Sequence, residues 1–362
     1  MSETALSTLH IVRRYGPVGG MERYVWELTR ALADAGHPVA VVCERNYGGA
    51  HDGITVHELG VIAQRPRWLS LLRFSRRVRD WLARHPQPGA LIHSHERVDL
   101  HHITTFHGPP FATIFERGWW RLMSLRVAMQ LYLERRELCA SSVRAIVPNS
   151  PLIRDQLQHY YPQAALRFVA PVTPGVAPGP SRQRGHVPPD GGIIGFVGKE
   201  WKRKGLEAAV AAVAVLRRRR PQLELWVLGP APEEVKHLFA GWNGGYSLLG
   251  WADGFSVYPQ IDVLLHPARA EPYGMAVAEA MAAQVPVVVS DRCGIAPEVG
   301  ADAGIVVPLD AAPEQWAVAC ENQLERNAPP PGYRRGWDRV AQDYMALYRG
   351  LAVPEIASGP EF

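Results

Sequence analysis

The chain has 362 residues, a net charge of +4 and 47% hydrophobic residues, enough for two domains with separate cores. Its four cysteines, Cys43, Cys139, Cys293 and Cys320, lack metal-ligand spacing and are few for a secreted chain, and no run approaches the roughly 20 apolar residues that cross a bilayer. With no basic-then-apolar leader, a cytoplasmic protein is expected, soluble or peripheral on the inner face of the membrane. Charge is uneven: residues 1–170 hold 21 basic residues, all arginine, against 14 acidic ones, and the remainder holds 18 against 21. Nucleic acid fits poorly as a partner, because zinc spacing, a helix-turn-helix pattern and an aromatic RNA-binding signature are all missing.

In chain order, Leu9–Val12 reads as a buried strand, Arg13–Gly20 as a glycine-bearing loop, Met21–Ala35 as a helix ending at Gly36, and Val39–Cys43 as a second strand. Val25, Leu28 and Leu32 recur at helical spacing, so this is a βαβ unit. Short strands then end at His93–His95, near Thr105–His107 and at Ile146–Pro148. Ser150 with Pro151 behind it is a helix start, cap and first helical position together. Residues 171–189 turn rich in Pro and Gly and read as a linker between residues 1–170 and 190–333. The pattern restarts with strand Ile193–Val197, loop Gly198–Lys204, helix Leu206–Arg218 and strand Leu223–Leu228, followed by apolar strands at Val263–Leu265, Val285–Val289 and Ile305–Val307. Residues 334–351 form a final helix with Trp337, Val340, Tyr344 and Leu347 on one stripe, and 352–362 a flexible tail. Two α/β domains follow, with ligands expected beyond the strand C-terminal ends and hence in a cleft between the domains.

Three segments carry candidate chemistry. Gly16-Pro17-Val18-Gly19-Gly20 follows the first strand, where glycine lets backbone approach a ligand or simply makes a tight turn. It is not the G-x-G-x-x-G fingerprint, and Glu44 is the one acidic residue near a ribose position, so a nicotinamide enzyme is weakly supported. In Gly198-Lys199-Glu200-Trp201-Lys202-Arg203-Lys204-Gly205, Lys199 and Lys204 could bracket a site for one anion while Lys202 and Arg203 face solvent; as an isolated feature it reads more readily as a solvated charge run. In Glu271-Pro272-Tyr273-Gly274-Met275-Ala276-Val277-Ala278-Glu279, Pro272 keeps Glu271 out of the helix, which starts at Tyr273 or Gly274 and runs to about Ala283. That helix is apolar nearly all round, which places Glu279 inside the protein, where a carboxylate needs either an internal cation or a hydroxyl-rich ligand.

Taken together, the basic G-K-x-x-x-x-K-G loop, the E-x7-E segment and the Gly19-Gly20 loop closely resemble the nucleotide-sugar glycosyltransferases of the GT-B fold, specifically the retaining family 4 group. The resemblance runs from about Leu9 to Leu351 and is most specific over Gly198–Val299. It implies two Rossmann-like domains facing across a cleft, an acceptor-side domain at 1–170, a nucleotide-sugar domain at 190–333, and a last helix crossing back to the N-terminal domain. It implies that Gly198, Lys199 and Lys204 hold the donor diphosphate, Glu271 the transferred sugar and Glu279 the ribose, with Gly19, Gly20, Tyr273, Gly274, Met275 and Ala276 also at the donor. Lys199 departs from the arginine common there and loses the planar fork. Within Thr104-Thr105-Phe106-His107-Gly108, the resemblance puts His107 beside the reacting sugar. His93, His95, His101 and His102 are an alternative metal cluster that the loop-rich spacing argues against, and the family generally works without a divalent ion. Ile295 stands where members often have a second glycine.

The expected reaction is retaining transfer of a sugar from a nucleoside-diphosphate sugar, UDP-linked, to a glycan or glycolipid of the lipopolysaccharide-core kind, without cofactor. An epimerase of the same architecture and a non-catalytic partner subunit are the alternatives; the latter predicts a broken donor motif. Val227–Gly250 is expected to supply backbone to the base, with Asn243 a candidate. Arg65–Arg84, with Trp68, Leu71, Leu72, Phe74 and Trp81, and Phe111–Arg136, with Phe115, Trp119, Trp120 and Met123, combine arginine with aromatics. They suit either an anionic membrane surface or a domain core lined with solvated arginines.

Overall fold

The computed structural model describes residues 6–118, 123–182, 185–252, 254–326 and 328–352. It comprises two compact units, Met1–Gly175 with Trp337–Phe362, and Val176–Gly336.

The first unit is built on β1 (Thr8–Ile11), α1 (Gly20–Asp34), β2 (Val39–Cys43), β3 (Ile54–Glu58), α2 (Arg67–Arg84), β4 (Leu91–Ser94), β5 (Ile103–Phe106), α3 (Leu125–Cys139), β6 (Ala145–Pro148) and α4 (Pro151–Tyr160). Its main sheet has six strands, all parallel, in the order β3-β2-β1-β4-β5-β6. A parallel sheet is covered by helices on both faces, so β1, β4, β5 and β6 are buried along their whole length, and their residues are apolar or small except for His10 in β1 and His93 in β4. Tyr24, Val25, Leu28 and Leu32 of α1 pack on one face. Ser150 caps α4 by accepting from the Ile153 N–H, 3.2 Å away.

The second unit repeats the plan with β7 (Gly191–Val197), α5 (Trp201–Lys204), α6 (Leu206–Leu216), β8 (Gln222–Leu228), β9 (Tyr246–Gly250), β10 (Val263–His266), α7 (Met275–Ala282), β11 (Val287–Ser290), β12 (Gly304–Val307) and α8 (Pro313–Leu324). The order β9-β8-β7-β10-β11-β12, again all parallel, is the same doubly wound arrangement. In both units the order reverses beside the first strand, between β1 and β4 and between β7 and β10. Loops leaving those strand ends are where such sheets receive ligands.

The structure moves several expected boundaries. Residues 171–189 are not a free linker: Val172 lies in the core of the first unit, Val176 and Val187 in cores of the second. The second unit begins at Val176 rather than 190, because apolar side chains spaced among the prolines still find a core. The last helix, α9 (Trp337–Ala352), starts three residues later than expected, and its Val340, Ala341, Tyr344 and Tyr348 are buried in the core of the first unit. β3 and β9 were not expected at all. Both are edge strands, and both carry mixed polar sequences, ITVHE and YSLLG, that lack the apolar run of a central strand. Within Arg65–Arg84, α2 sends Leu71, Phe74 and Trp81 into the core with Val78 and leaves Arg73, Arg76 and Arg79 exposed. Trp119, Trp120 and residues 353–362 lie outside the described residues.

Candidate active site

In the second unit the site grows from the turn after β7. At Gly198, φ is +154°, and the stem of Lys204 lies across it so closely that a Cβ there would sit 1.9 Å from Lys204 Cδ. Gly229 backs this turn, since its own Cβ would come 2.7 Å from the Lys199 nitrogen. Residues 201–204 then make one helical turn, broken at Gly205 in the left-handed region, where a Cβ would lie 1.9 Å from the Pro267 carbonyl oxygen. Glycines at 198 and 205 thus lay the basic loop against the loop leaving β10.

That second loop carries Glu271, which is only 8% exposed. Its N–H donates to the Arg292 carbonyl at 3.0 Å and its carbonyl accepts from the Gly294 N–H at 2.9 Å, so the backbone on either side is clamped. The carboxylate faces Lys204 Nζ at 3.2 Å, an Arg203 guanidinium nitrogen at 3.3 Å and His266 Nε2 at 3.5 Å. Burial pushes this carboxyl up, but Lys204, His266 and Arg203 outweigh burial and hold it well below the usual carboxylate range. Burial lowers the His266 imidazole, against the opposing pull of Glu271. The result is an ionised, desolvated carboxylate held between two cations, an arrangement suited to a ligand bearing both hydroxyls and negative charge.

α7 opens directly behind it. Gly274, at φ +115°, caps the helix, and its carbonyl is the first acceptor, taking the N–H groups of Val277 and Ala278. The N–H groups of Gly274, Met275 and Ala276 precede that acceptor, as in any first helical turn. A Cβ at Gly274 would meet Cys293 Sγ at 2.6 Å and Ile295 Cγ2 at 3.1 Å. The fully buried Ile295 therefore fills the space beside Gly274, and its N–H donates to the Tyr273 carbonyl at 2.8 Å.

Two expectations change here. Arg203 does not face solvent; it turns back to Glu271, Glu200 and the Ala270 carbonyl, because a single helical turn sets it beside Lys204. Lys202 is exposed, as expected, with its Nζ 5.0 Å from the centre of the Trp201 ring. Glu279 is half-buried rather than enclosed, and its carboxylate accepts from the Tyr258 hydroxyl at 3.0 Å. Apolar neighbours on the helix said nothing of Tyr258, which arrives from another segment. Lys199 is exposed at the strand end and makes no ion pair among the described residues. Tyr273 is buried, its hydroxyl 2.8 Å from that of Tyr333, which donates to Glu298. Asn243 is exposed beside β9.

In the first unit, Gly19 precedes α1 with its Cβ position 2.4 Å from Glu22 Oε2, whereas a Cβ at Gly20 would meet nothing within 4 Å. Glu44 is spent on Arg13, 2.7 Å away, which removes the ribose ligand a nicotinamide reading required. His107 follows β5 directly, half-buried, with the ring of Tyr24 edge-on at 4.7 Å. His95 Nδ1 lies 3.0 Å from His107 Nε2. The histidines that gather are His10, His93 and His95; His101 instead meets the Glu137 carbonyl, and His102 accepts from the Ile92 N–H. His10 was missed because it lies 83 residues from His93, and only the β1–β4 register makes the two neighbours.

Residues 18–178 match the family described as Glycosyltransferase Family 4, and residues 191–326 the one described as Glycosyl transferases group 1. The chain is 26% identical to a D-inositol 3-phosphate glycosyltransferase of Paenarthrobacter aurescens, over 94% of this chain and 96% of that one. It is also 26% identical to a phosphatidyl-myo-inositol mannosyltransferase of Mycolicibacterium smegmatis, over 92% and 91%. Among solved structures it resembles WaaG, a glycosyltransferase involved in lipopolysaccharide biosynthesis, with a TM-score of 0.73 and 19% identity over 98% of this chain and 100% of the other.

Proposed function

The chain belongs to glycosyltransferase family 4, with the GT-B fold, and from that premise we propose that it transfers a sugar, with retention, from a nucleoside-diphosphate sugar to a hydroxyl of a glycan or glycolipid of the bacterial cell envelope. The reading rests on one arrangement: the ionised Glu271 beside Lys204 and Arg203 at the strand ends, next to the first turn of α7. Lys204, Lys199 and the N–H groups of Gly274, Met275 and Ala276 take the diphosphate; Glu279 takes the ribose. As the glycosidic bond to diphosphate loosens, negative charge grows on the leaving oxygens, and groups already in place favour that state over the ground state. Lys204 is shared between this charge and Glu271, which holds sugar hydroxyls and favours positive charge at the anomeric carbon. His107 orients the sugar. The acceptor attacks from the face the diphosphate leaves, and the diphosphate receives the acceptor's proton, so no protein nucleophile and no metal ion enter.

The test is transfer from a radiolabelled donor. Glu271→Ala and Lys204→Ala are each expected to lower the rate at least a hundredfold, and a rate near that of the unmutated protein sinks the assignment. Thermal-shift measurements with UDP-, GDP- and ADP-sugars identify the donor, because a ligand at 100 times its Kd stabilises by about 2.7 kcal/mol. The exposed Arg73 and Arg76 of α2 support a basic face toward anionic lipid, while Arg79 is paired with Asp99. Co-sedimentation with anionic liposomes at low salt is expected, and none at all counts against that face.

A further inference from the structure

On one face of the first sheet lies a group of buried imidazoles whose nitrogens come within 4.8 Å of one another: His10, His93 and His95. That is a candidate metal site by composition. The hydrogen bonds argue otherwise. His93 Nδ1 meets the Tyr348 hydroxyl at 2.7 Å and its Nε2 meets Thr105 Oγ1 at 2.8 Å. His95 Nε2 meets His10 Nδ1 at 3.2 Å, and His95 Nδ1 meets His107 Nε2 at 3.0 Å. Of the six nitrogens only His10 Nε2 has no partner. Three imidazole ligands to one ion would break two of these bonds, in a cluster that, among the described residues, includes no carboxylate to offset the charge.

The bonds instead make a directed chain, His10 to His95 to His107. Burial keeps all three rings neutral, pushing His10 and His107 down to about 3 and His95 well below its ordinary value. A neutral imidazole has one donor and one acceptor nitrogen, so the direction of one bond fixes the others. If His107 donated inward, the last proton would sit on His10 Nε2 as a buried N–H with no acceptor. If His10 Nδ1 donates to His95 Nε2, and His95 Nδ1 to His107 Nε2, the unpartnered atom is a lone pair, and an orphaned N–H is the rarer of the two. His107 then carries its proton on Nδ1, which makes no hydrogen bond among the described residues.

We propose that His95, itself oriented by His10, is a positioning residue that fixes His107 in the Nδ1–H tautomer and so presents a hydrogen-bond donor to an oxygen of the transferred sugar. This rests on the reading of His107 as the histidine beside that sugar. Supporting contacts come from α9. Tyr344 bonds Thr105 at 2.7 Å and Tyr24 at 2.9 Å, and Tyr24 packs edge-on to His107. The last helix of the chain therefore steadies both rings from behind.

Nitrogen-15 NMR of the histidine-labelled protein reads the tautomer directly and needs no variant. A protonated Nδ1 and an unprotonated Nε2 at His107 are expected; the reverse, or a single zinc ion taken up with loss of the His10, His93 and His95 signals, overturns the proposal. His95→Asn keeps a donor in the Nδ1 position and is expected to preserve tautomer and rate. His95→Phe keeps the ring without its nitrogens; His107 is then expected to populate both tautomers and kcat to fall roughly three- to tenfold, the worth of one hydrogen bond. An unchanged tautomer in His95→Phe overturns the positioning role. A changed tautomer with an unchanged rate overturns the link to transfer by removing His107 from the sugar, which is a failure of the site reading and not of the imidazole chain.

Discussion

Lys204 Nζ stands 3.2 Å from Glu271 Oε2, although the two residues lie in loops 67 positions apart that leave neighbouring parallel strands. Their approach depends on Gly198, over which the lysine stem passes, and on Gly205, which lets the basic turn rest on the Pro267 carbonyl. Glu271 is the more deeply buried partner, with 10% of its side chain exposed against 15% for Lys204. Neither charge is cheap to leave alone there.

Removing both partners should cost less than the two removals added together. Lys204→Met leaves Glu271 with Arg203 and His266, and is expected to destabilise by about 1–3 kcal/mol, below the full penalty for an unpaired buried charge. The pair Lys204→Met with Glu271→Gln is expected to be less destabilised than the sum of the singles. Urea unfolding of the four proteins measures this coupling, and strict additivity would count against the ion pair.

Two glycines separate geometry that the fold needs from geometry that only a ligand needs. Gly198→Ala places a Cβ 1.9 Å from Lys204 Cδ at a left-handed φ, so the lysine must leave its position and donor binding should fall at least tenfold. Gly20→Ala meets no protein atom within 4 Å. Its melting temperature should match that of the unmutated chain, and any loss of transfer then reports a clash with ligand.

Acid should destabilise the first unit. His10, His93, His95, His101 and His107 are all held neutral by burial, while in the unfolded chain they titrate near 6.5. Below that pH the unfolded state binds more protons, so stability falls as pH falls, by up to about 1.4 kcal/mol per pH unit for each such histidine. Glu96 and Glu137 work the other way. Burial pushes both up to about 7, so the native state keeps their protons where the unfolded chain releases them. Five histidines against two carboxyls leave the net slope positive. Urea midpoints measured from pH 7.5 to pH 5 are expected to drop, and a flat profile would mean that the histidines titrate in the folded protein.

Tyr344 and Tyr348 are fully buried and bonded to Tyr24, Thr105 and His93. Truncation before Trp337 removes them with Val340 and Ala341 and uncovers part of the core of the first unit, so the shortened chain should fail to melt cooperatively. Tyr348→Phe removes one buried hydrogen bond and should cost about 1–3 kcal/mol, read by thermal or urea melting.

Local chemistry determined a good part of this in advance. Apolar runs such as Val39–Cys43 and Ile146–Pro148 mark strands that parallel pairing buries on both faces, and Ser150-Pro151 marks a helix start by its own side chain and ring. Glu279 could be singled out because a charge on an apolar helix demands a partner, whereas Glu271 and Lys204 were marked by their motifs and by the family resemblance those motifs carry. What the partner would be was decided only by the fold. Arg203 joined Glu271, Glu279 found Tyr258, Glu44 was taken by Arg13, and His10 came to lie beside His93. Periodicity reports which face of an element is apolar; strand order and register decide which distant groups meet at the end of it, and a carboxylate or imidazole takes its charge state from those neighbours.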